Sequence, residues 1–426
     1  MAIYFVCRKC NKRYAENDYE ESKFCKTCGS FLLREYRQDS DSQINLVTKK
    51  LNPPKLPTSE PNTSEKDKSA LKRAAESLKQ RIGNIREYEI VSDLPKETES
   101  YQESPAESWI WNSEFDKALK LEKQLIRKFK DKRLEEAIPG KVTSNEHGDC
   151  YSITDACTCN FNKVNYEESR RLITSNLKII PGIGPIRERE LKQQGYNTIE
   201  ALKKHPIWRE QAQKFLNLLD AKEIGATQNW LWERLPKSHP LVHYTAGLCN
   251  LEDFAIIDIE TLGLSERPII LLGIAKPKEK SVCISQFLLR DIQDEPSAIW
   301  ALTSQLNVSS SLITFNGKSF DIPYIKQRLA YYGMDASLSN PHFDVLHFTR
   351  RALGGKLANC RLETVEKYLD IERKVDIPGA MVPHFYNTYL NTGNVGPLVA
   401  IVEHNKQDLI TLGSLFSKLY EEWKLD

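Results

Sequence analysis

The chain has 426 residues and a mass of 49.0 kDa, enough for roughly two to four folded units rather than one core. With 40% hydrophobic and 28% charged residues and a mean hydropathy of −0.50, it is too polar for a bundle of membrane helices, and its longest apolar runs fall well short of the ~20 residues that a span needs. Sixty Lys and Arg against 58 Asp and Glu leave a net charge of +2, so local charge has to choose the partners.

The opening run AIYFVC has no basic leader, and no signal peptide is expected. Ten cysteines in a chain of this length, four of them in two C-x2-C pairs, point to a metal site in a reducing cytoplasm rather than to a disulfide framework. The pairs are Cys7 with Cys10 and Cys25 with Cys28, within residues 1–37. Each turn offers two thiolates from one knuckle, and four thiolates close a tetrahedral site suited to one structural Zn²⁺, with iron as the chemical alternative. This segment resembles a zinc ribbon. A closed site leaves no position for a substrate, so its expected role is contact with nucleic acid or docking of a protein partner.

Residues 38–107, rich in Ser, Thr, Pro, Glu and Lys, have too few large apolar side chains for a core and read as a disordered linker with a transient helical patch from Ala70 to Ile82. Apolar residues at helical spacing from Phe115 to Leu134 predict a long amphipathic helix opening a helical region over 108–247. Cys150, Cys157 and Cys159, close to His147, read better as thiols on a strand pair around Tyr151 and Ile153 than as a second metal site. Cys249, Cys283 and Cys360 read as small buried residues.

Within IIPGIGPIRERELKQQGYNTIEALKKH, Ser169 to Lys178 is expected to be helical, Pro185 opens a second helix and Gly195 ends it. Gly182 and Gly184 lack Cβ atoms, which lets backbone amides approach a phosphate at a helix N-terminus. From Asn162 to Phe215 eleven basic residues stand against six Glu, a local excess that suits a phosphate-facing surface. The stretch 169–205 resembles a helix-hairpin-helix motif, a sequence-independent binder of nucleic-acid backbone. That resemblance implies contacts by Gly182, Ile183 and Gly184, with Arg187 and Lys192 as phosphate neighbours.

From about residue 248 onward the pattern changes to α/β. Phe254 to Glu260 alternates so that Asp258 and Glu260 share one face while Ile257 and Ile259 take the other. PIILLGIA, SVCISQFLL and SLITFNG read as further strands, Glu295 to Leu306 as a helix, Asp321 as the head of another, and Pro397 to Trp423 as a helix with His404 and Asp408 on one face. Four acids without basic partners would repel one another, and a pair of Mg²⁺ or Mn²⁺ ions would relieve that repulsion and clamp a phosphodiester.

IDIETLGL, TFNGKSFDIPYI and VEHNKQDLITL look like the three exonuclease motifs of the ribonuclease H-like DEDD superfamily. The likeness is to its YprB-type exonuclease domain, and it runs from about Asp253 to Trp423 through FDVLHFTRRAL, RLETVEKYLDI and VDIPG. The resemblance implies a mixed α/β sheet and a 3′-to-5′ exonuclease acting on DNA or RNA. Asp258, Glu260, Asp321 and Asp408 would hold the metals, His404 would orient or deprotonate the attacking water, and Asn316 and Phe320 would touch the terminal nucleotide. Asp344 is expected to be a supporting residue or a helix cap. His404 stands four positions before Asp408, the interval of the tyrosine-type members, where histidine-type members use five. The alternatives are a non-catalytic nucleic-acid adaptor and a structure-specific endonuclease. The whole then reads as a multidomain protein: zinc ribbon, linker, helical region, and an exonuclease domain over 248–426.

Overall fold

The computed structural model describes residues 105–423, except 160, 265, 279–280, 372 and 374–376, together with three short strands near the N-terminus. Those strands, β1 (Ile3–Val6), β2 (Arg13–Ala15) and β3 (Leu33–Tyr36), form an antiparallel sheet in the order β2-β1-β3. Cys7, Cys10, Cys25 and Cys28, and the linker as far as residue 104, lie outside the described residues. The first compact unit ends at Glu87, and Tyr88–Asp426 is the second.

The second unit begins with α1 (Pro105–Lys128), which starts earlier and ends sooner than the spacing of apolar residues suggests. Its first residue is a proline, whose missing N–H costs nothing at that position, and Asp131 in a left-handed conformation turns the chain soon after its end. Two strands follow, β4 (Lys141–Asn145) and β5 (Gly148–Thr158). Next comes a helical stretch containing α2 (Tyr166–Thr174), α3 (Pro185–Gln193), α4 (Arg209–Asp220) and α5 (Ile224–Trp232).

A meander of β6 (Phe254–Thr261), β7 (Ile269–Pro277) and β8 (Ser281–Leu288) then leads through α6 (Glu295–Thr303) to β9 (Ser311–Thr314). The remaining elements are α7 (Asp321–Tyr332), β10 (His342–Asp344), α8 (Val345–Leu353), α9 (Leu362–Tyr368), α10 (Val382–Thr392) and α11 (Gly396–Glu422).

These strands build one seven-stranded mixed sheet in the order β10-β9-β6-β7-β8-β5-β4. β10, β9 and β6 run parallel, and the others pair antiparallel. β6 lies between β9 and β7; its first four residues, Phe254 to Ile257, are apolar and buried, and its polar residues are confined to the end that carries Asp258 and Glu260. The strand pair β4–β5, expected within a separate helical region, instead extends this sheet through β8, with Tyr151 opposite Leu288. The helical region shares the core as well. Ile179, Leu191 and Phe215 belong to the same buried apolar cluster as Phe254 and Phe416.

Among the other cysteines, Cys150, Cys159 and Cys249 are buried, whereas Cys283 and Cys360 are partly exposed, against expectation. Cys150 lies 3.4 Å from Thr143 Oγ1 and Cys159 lies 3.7 Å from Ser414 Oγ, so each thiol has a hydroxyl neighbour from another element.

One glycine positions the site. Gly273 sits opposite Asp258 in the β6–β7 register, and a Cβ added there would meet Asn405 Oδ1 at 2.3 Å and Leu409 at 2.8 Å. Gly273→Ala should therefore cost about 1–3 kcal/mol, the usual effect of overpacking, measured as a lower denaturation midpoint.

Candidate active site

The acids are gathered from three separate segments. Asp258 and Glu260 project from the end of β6, where the register with β7 shifts between Glu260 and Thr261, an irregularity of the kind that re-aims side chains at strand ends. Asp321 is the first residue of α7 and is 5% exposed. The N-cap position belongs to Phe320, which makes no capping bond, so Asp321 is not merely capping its helix. His404 and Asp408 stand one turn apart on α11, with His404 Nε2 3.8 Å from Glu260 Oε1 and 3.7 Å from Asp408 Oδ2.

Crowding shows in the proton affinities. Burial, then the charges of Asp408, Glu260 and Asp321, push the Asp258 carboxyl well above the usual range. Burial, then Asp408 and Asp321, do the same to Glu260. Asp321 is pushed up to about 7, chiefly by burial, with Asp344 and Asp408 adding to it and backbone N–H bonds opposing it.

Three supports were not apparent from the sequence. Asn405, fully buried, donates through Nδ2 to Asp258 Oδ2 at 2.7 Å and is itself fixed by Gln286, whose Nε2 donates to Asn405 Oδ1 at 2.8 Å. Arg373 is the basic partner that the sequence reading lacked. Its Nη2 donates to Asp408 Oδ1 at 2.5 Å, its Nε to Glu366 Oε2 at 2.5 Å, and its Nη1 lies 3.0 Å from His404 Nδ1. Glu366 completes the set by accepting from Thr411 Oγ1 at 2.7 Å. The isolated glycine in IILLGIA was a legible hint of close approach, and Asn405 adjoins His404 in its motif. Arg373, in a run of mixed charge, gave no signal.

Asn316 follows β9 with a left-handed φ of 64°, and Asp344 holds that loop by accepting from the Asn316 and Lys318 N–H groups at 2.9 and 3.1 Å. Asp344 also caps α8, through Leu346 N. Phe320 lies against Tyr324 with ring centroids 5.3 Å apart. Lys318, between them, sits 4.2 Å over the Trp232 ring, and burial lowers its ammonium to about 8.

The glycine hairpin lies between α2 and α3 and is closed by a 3₁₀ turn at Leu177–Ile179, so the expected first helix is shorter and shifted. Gly182 has a φ of 83°, which a side chain would strain. Gly182 and Gly184 are exposed, whereas Ile183 is 4% exposed and packs into the core. Its side chain is therefore an anchor and not a contact. Among the described residues, neither glycine N–H donates to a backbone carbonyl. Lys192 and Lys178 approach Glu188 at 3.4 and 3.7 Å, and Arg187, half-exposed, lies over Trp208.

With this geometry in view, comparison with known proteins identifies the scaffold. A family model of the RNase_H superfamily matches residues 255–420. The C-terminal region is a ribonuclease H-superfamily domain. An uncharacterized protein of Bacillus subtilis (strain 168), YprB, is 33% identical over 192 residues, which cover 44% of this chain and 46% of that protein. The match thus spans about half the length of the relative.

Hard carboxylate oxygens are the donors that Mg²⁺ or Mn²⁺ prefers, so the chemistry of the ribonuclease H site fits such an ion. Among the described residues no three His, Cys, Asp or Glu are arranged to hold a metal, and one oxygen of Asp408 is engaged by Arg373.

The raised carboxyls have a consequence for stability. Asp321 favours the folded state only while protonated; that contribution is full below its ordinary 3.8 and is lost as pH rises towards about 7. In EDTA, Asp321→Asn should therefore gain in melting temperature over the unsubstituted protein as pH rises from about 4 to about 7, as followed by thermal denaturation.

Proposed function

We propose that this protein is a metal-dependent nuclease that hydrolyses phosphodiester bonds, acting as a 3′-to-5′ exonuclease. The observation that carries the reading is the convergence of Asp258, Glu260, Asp321 and Asp408 from three segments into one largely buried, mutually repelling cluster on a ribonuclease H-superfamily domain. Like charges are gathered at such cost where they have a cation to bind. Those four acids would hold the ions, which would supply Lewis acidity and charge neutralisation at the scissile phosphate. The protein's own residues do the rest. Asn405 fixes Asp258, His404 orients the water or accepts its proton, and Asn316 and Phe320 flank the place of the terminal nucleotide.

The hairpin would grip the backbone of the same nucleic acid through the Gly182 and Gly184 amides, with Arg187 beside them and Ile183 as the internal anchor. Lys192 would contribute charge once released from Glu188. Cys7, Cys10, Cys25 and Cys28 would hold one Zn²⁺ in a structural role, on a segment available to nucleic acid or a protein partner. The site of action would be the cytoplasm. No helix among the described residues is long and apolar enough to cross a membrane.

A second reading, a non-catalytic nucleic-acid adaptor, draws on Arg373, since a guanidinium already neutralises Asp408 without any metal. End-labelled single-stranded and duplex DNA and RNA, incubated with the full chain in Mg²⁺, Mn²⁺ or EDTA, separate the two. The nuclease reading expects metal-dependent loss of the 3′ end and no cleavage by Asp258→Asn, with the fold intact. Cleavage by Asp258→Asn at the rate of the unsubstituted protein would remove the acids from the chemistry.

The hairpin is tested by Gly184→Val. A Cβ at Gly184 meets nothing within 4 Å, so the fold should tolerate it while the amides lose close approach to phosphate. Affinity for long substrates should fall about 3- to 10-fold irrespective of sequence, the value of one or two hydrogen bonds. Unchanged affinity in a salt titration would reassign the turn to packing.

A further inference from the structure

His404 meets a neighbour that decides where its proton sits. A guanidinium has five N–H donors and no acceptor, so the approach of Arg373 Nη1 to His404 Nδ1 at 3.0 Å is a hydrogen bond only if Nδ1 offers a lone pair. A proton on Nδ1 would set two N–H groups against each other. The neutral imidazole then carries its hydrogen on Nε2, the nitrogen that faces Glu260 Oε1 and Asp408 Oδ2. A water held among these groups would accept from His404 and donate to the carboxylates.

Arg373 is well placed to impose this arrangement. Its side chain is 8% exposed, and Glu366, 2% exposed and held by Thr411, fixes Nε from behind. The grip on His404 therefore has its own anchor and does not depend on Asp408. Asp408 in turn gives Oδ1 to Arg373 and keeps Oδ2 on the side of His404. We propose that Arg373 is a positioning residue that locks His404 as an Nε2–H donor, so that His404 orients the attacking water and does not take its proton. This rests on the nuclease reading for its consequence, though not for the tautomer itself. It also gives a physical account of the four-residue interval to Asp408: the position uses a donor, which a tyrosine hydroxyl could replace.

The tautomer can be read without activity. The full chain, labelled with ¹⁵N-histidine and held in EDTA, would be examined by long-range proton–nitrogen NMR, with His404 assigned by the signals lost in His404→Tyr. A pyridine-type Nδ1 and a protonated Nε2 are expected in the unsubstituted protein. A protonated Nδ1 would overturn the proposal, and this measurement needs no substitution at Arg373. Arg373→Met should release the ring to a mixture of tautomers, whereas Arg373→Lys, still a pure donor, should preserve more of the original state. An unchanged spectrum in Arg373→Met would remove Arg373 from the role. In cleavage assays His404→Phe should be slower by about 10² to 10³-fold, the usual loss when one positioned donor is removed, with His404→Tyr recovering at least tenfold of it. Equal rates for Tyr and Phe at this position would sink the donor role. Absence of cleavage by the unsubstituted chain would instead count against the nuclease reading, leaving the NMR result to judge the tautomer.

Discussion

Four carboxylates share one largely buried region at the end of β6 and repel one another with little water to screen them. Much of the surrounding structure follows from containing that repulsion. Gly273 gives up its side chain so that α11 can come close enough for Asn405 to reach Asp258. Gln286 on β8 holds Asn405 in the required orientation, so three strands and a helix contribute to fixing one carboxylate. Arg373 supplies the only guanidinium bonded to the cluster among the described residues, and it is itself secured by a second buried acid, Glu366. Removing one partner of such a network leaves a buried charge unpaired, which is why these supports matter as much as the acids.

The helical stretch and the sheet are joined through their interior. Ile183 enters the common core while the glycines on either side stay in solvent, so the hairpin is built as an anchored loop. Trp230 adds a second tie, its indole N–H donating to the Ile179 carbonyl at 2.8 Å. A phosphate-binding turn fixed in this way is pre-organised, and less affinity is lost to ordering it.

How much of this was legible depended on whether the information was local. The alternation in FAIIDIE put Asp258 and Glu260 on one face, and the strand and helix signals around β7, β8, α7 and α11 lay close to the observed elements. Strand pairing is different. Nothing in β5 names β8 as its neighbour, so the sequence alone groups the two early strands with the helices that follow them. Ile183 illustrates another limit, since a residue between two glycines reads as part of a binding loop whether its side chain points outward or inward. Arg373 shows the strongest limit, because in IERKVD every charged residue looks alike until the chain folds back onto α11. The ribonuclease H sheet could be inferred from period and motif, whereas the cation inside its acid cluster could not.

The route of the chain through the sheet also bears on how the molecule assembles. Of the seven strands of this sheet, β4 and β5 emerge from the ribosome first, and the entire helical stretch follows before β8 exists to receive them. Until then β5 has one antiparallel neighbour and one open edge, the type of surface that invites pairing with another chain. Closing it requires contact between segments far apart in sequence, which slows folding by the loop that must be ordered first. The helices between β5 and β6, which present the hairpin to solvent in the finished protein, thus lie within the loop that has to be ordered before that edge closes.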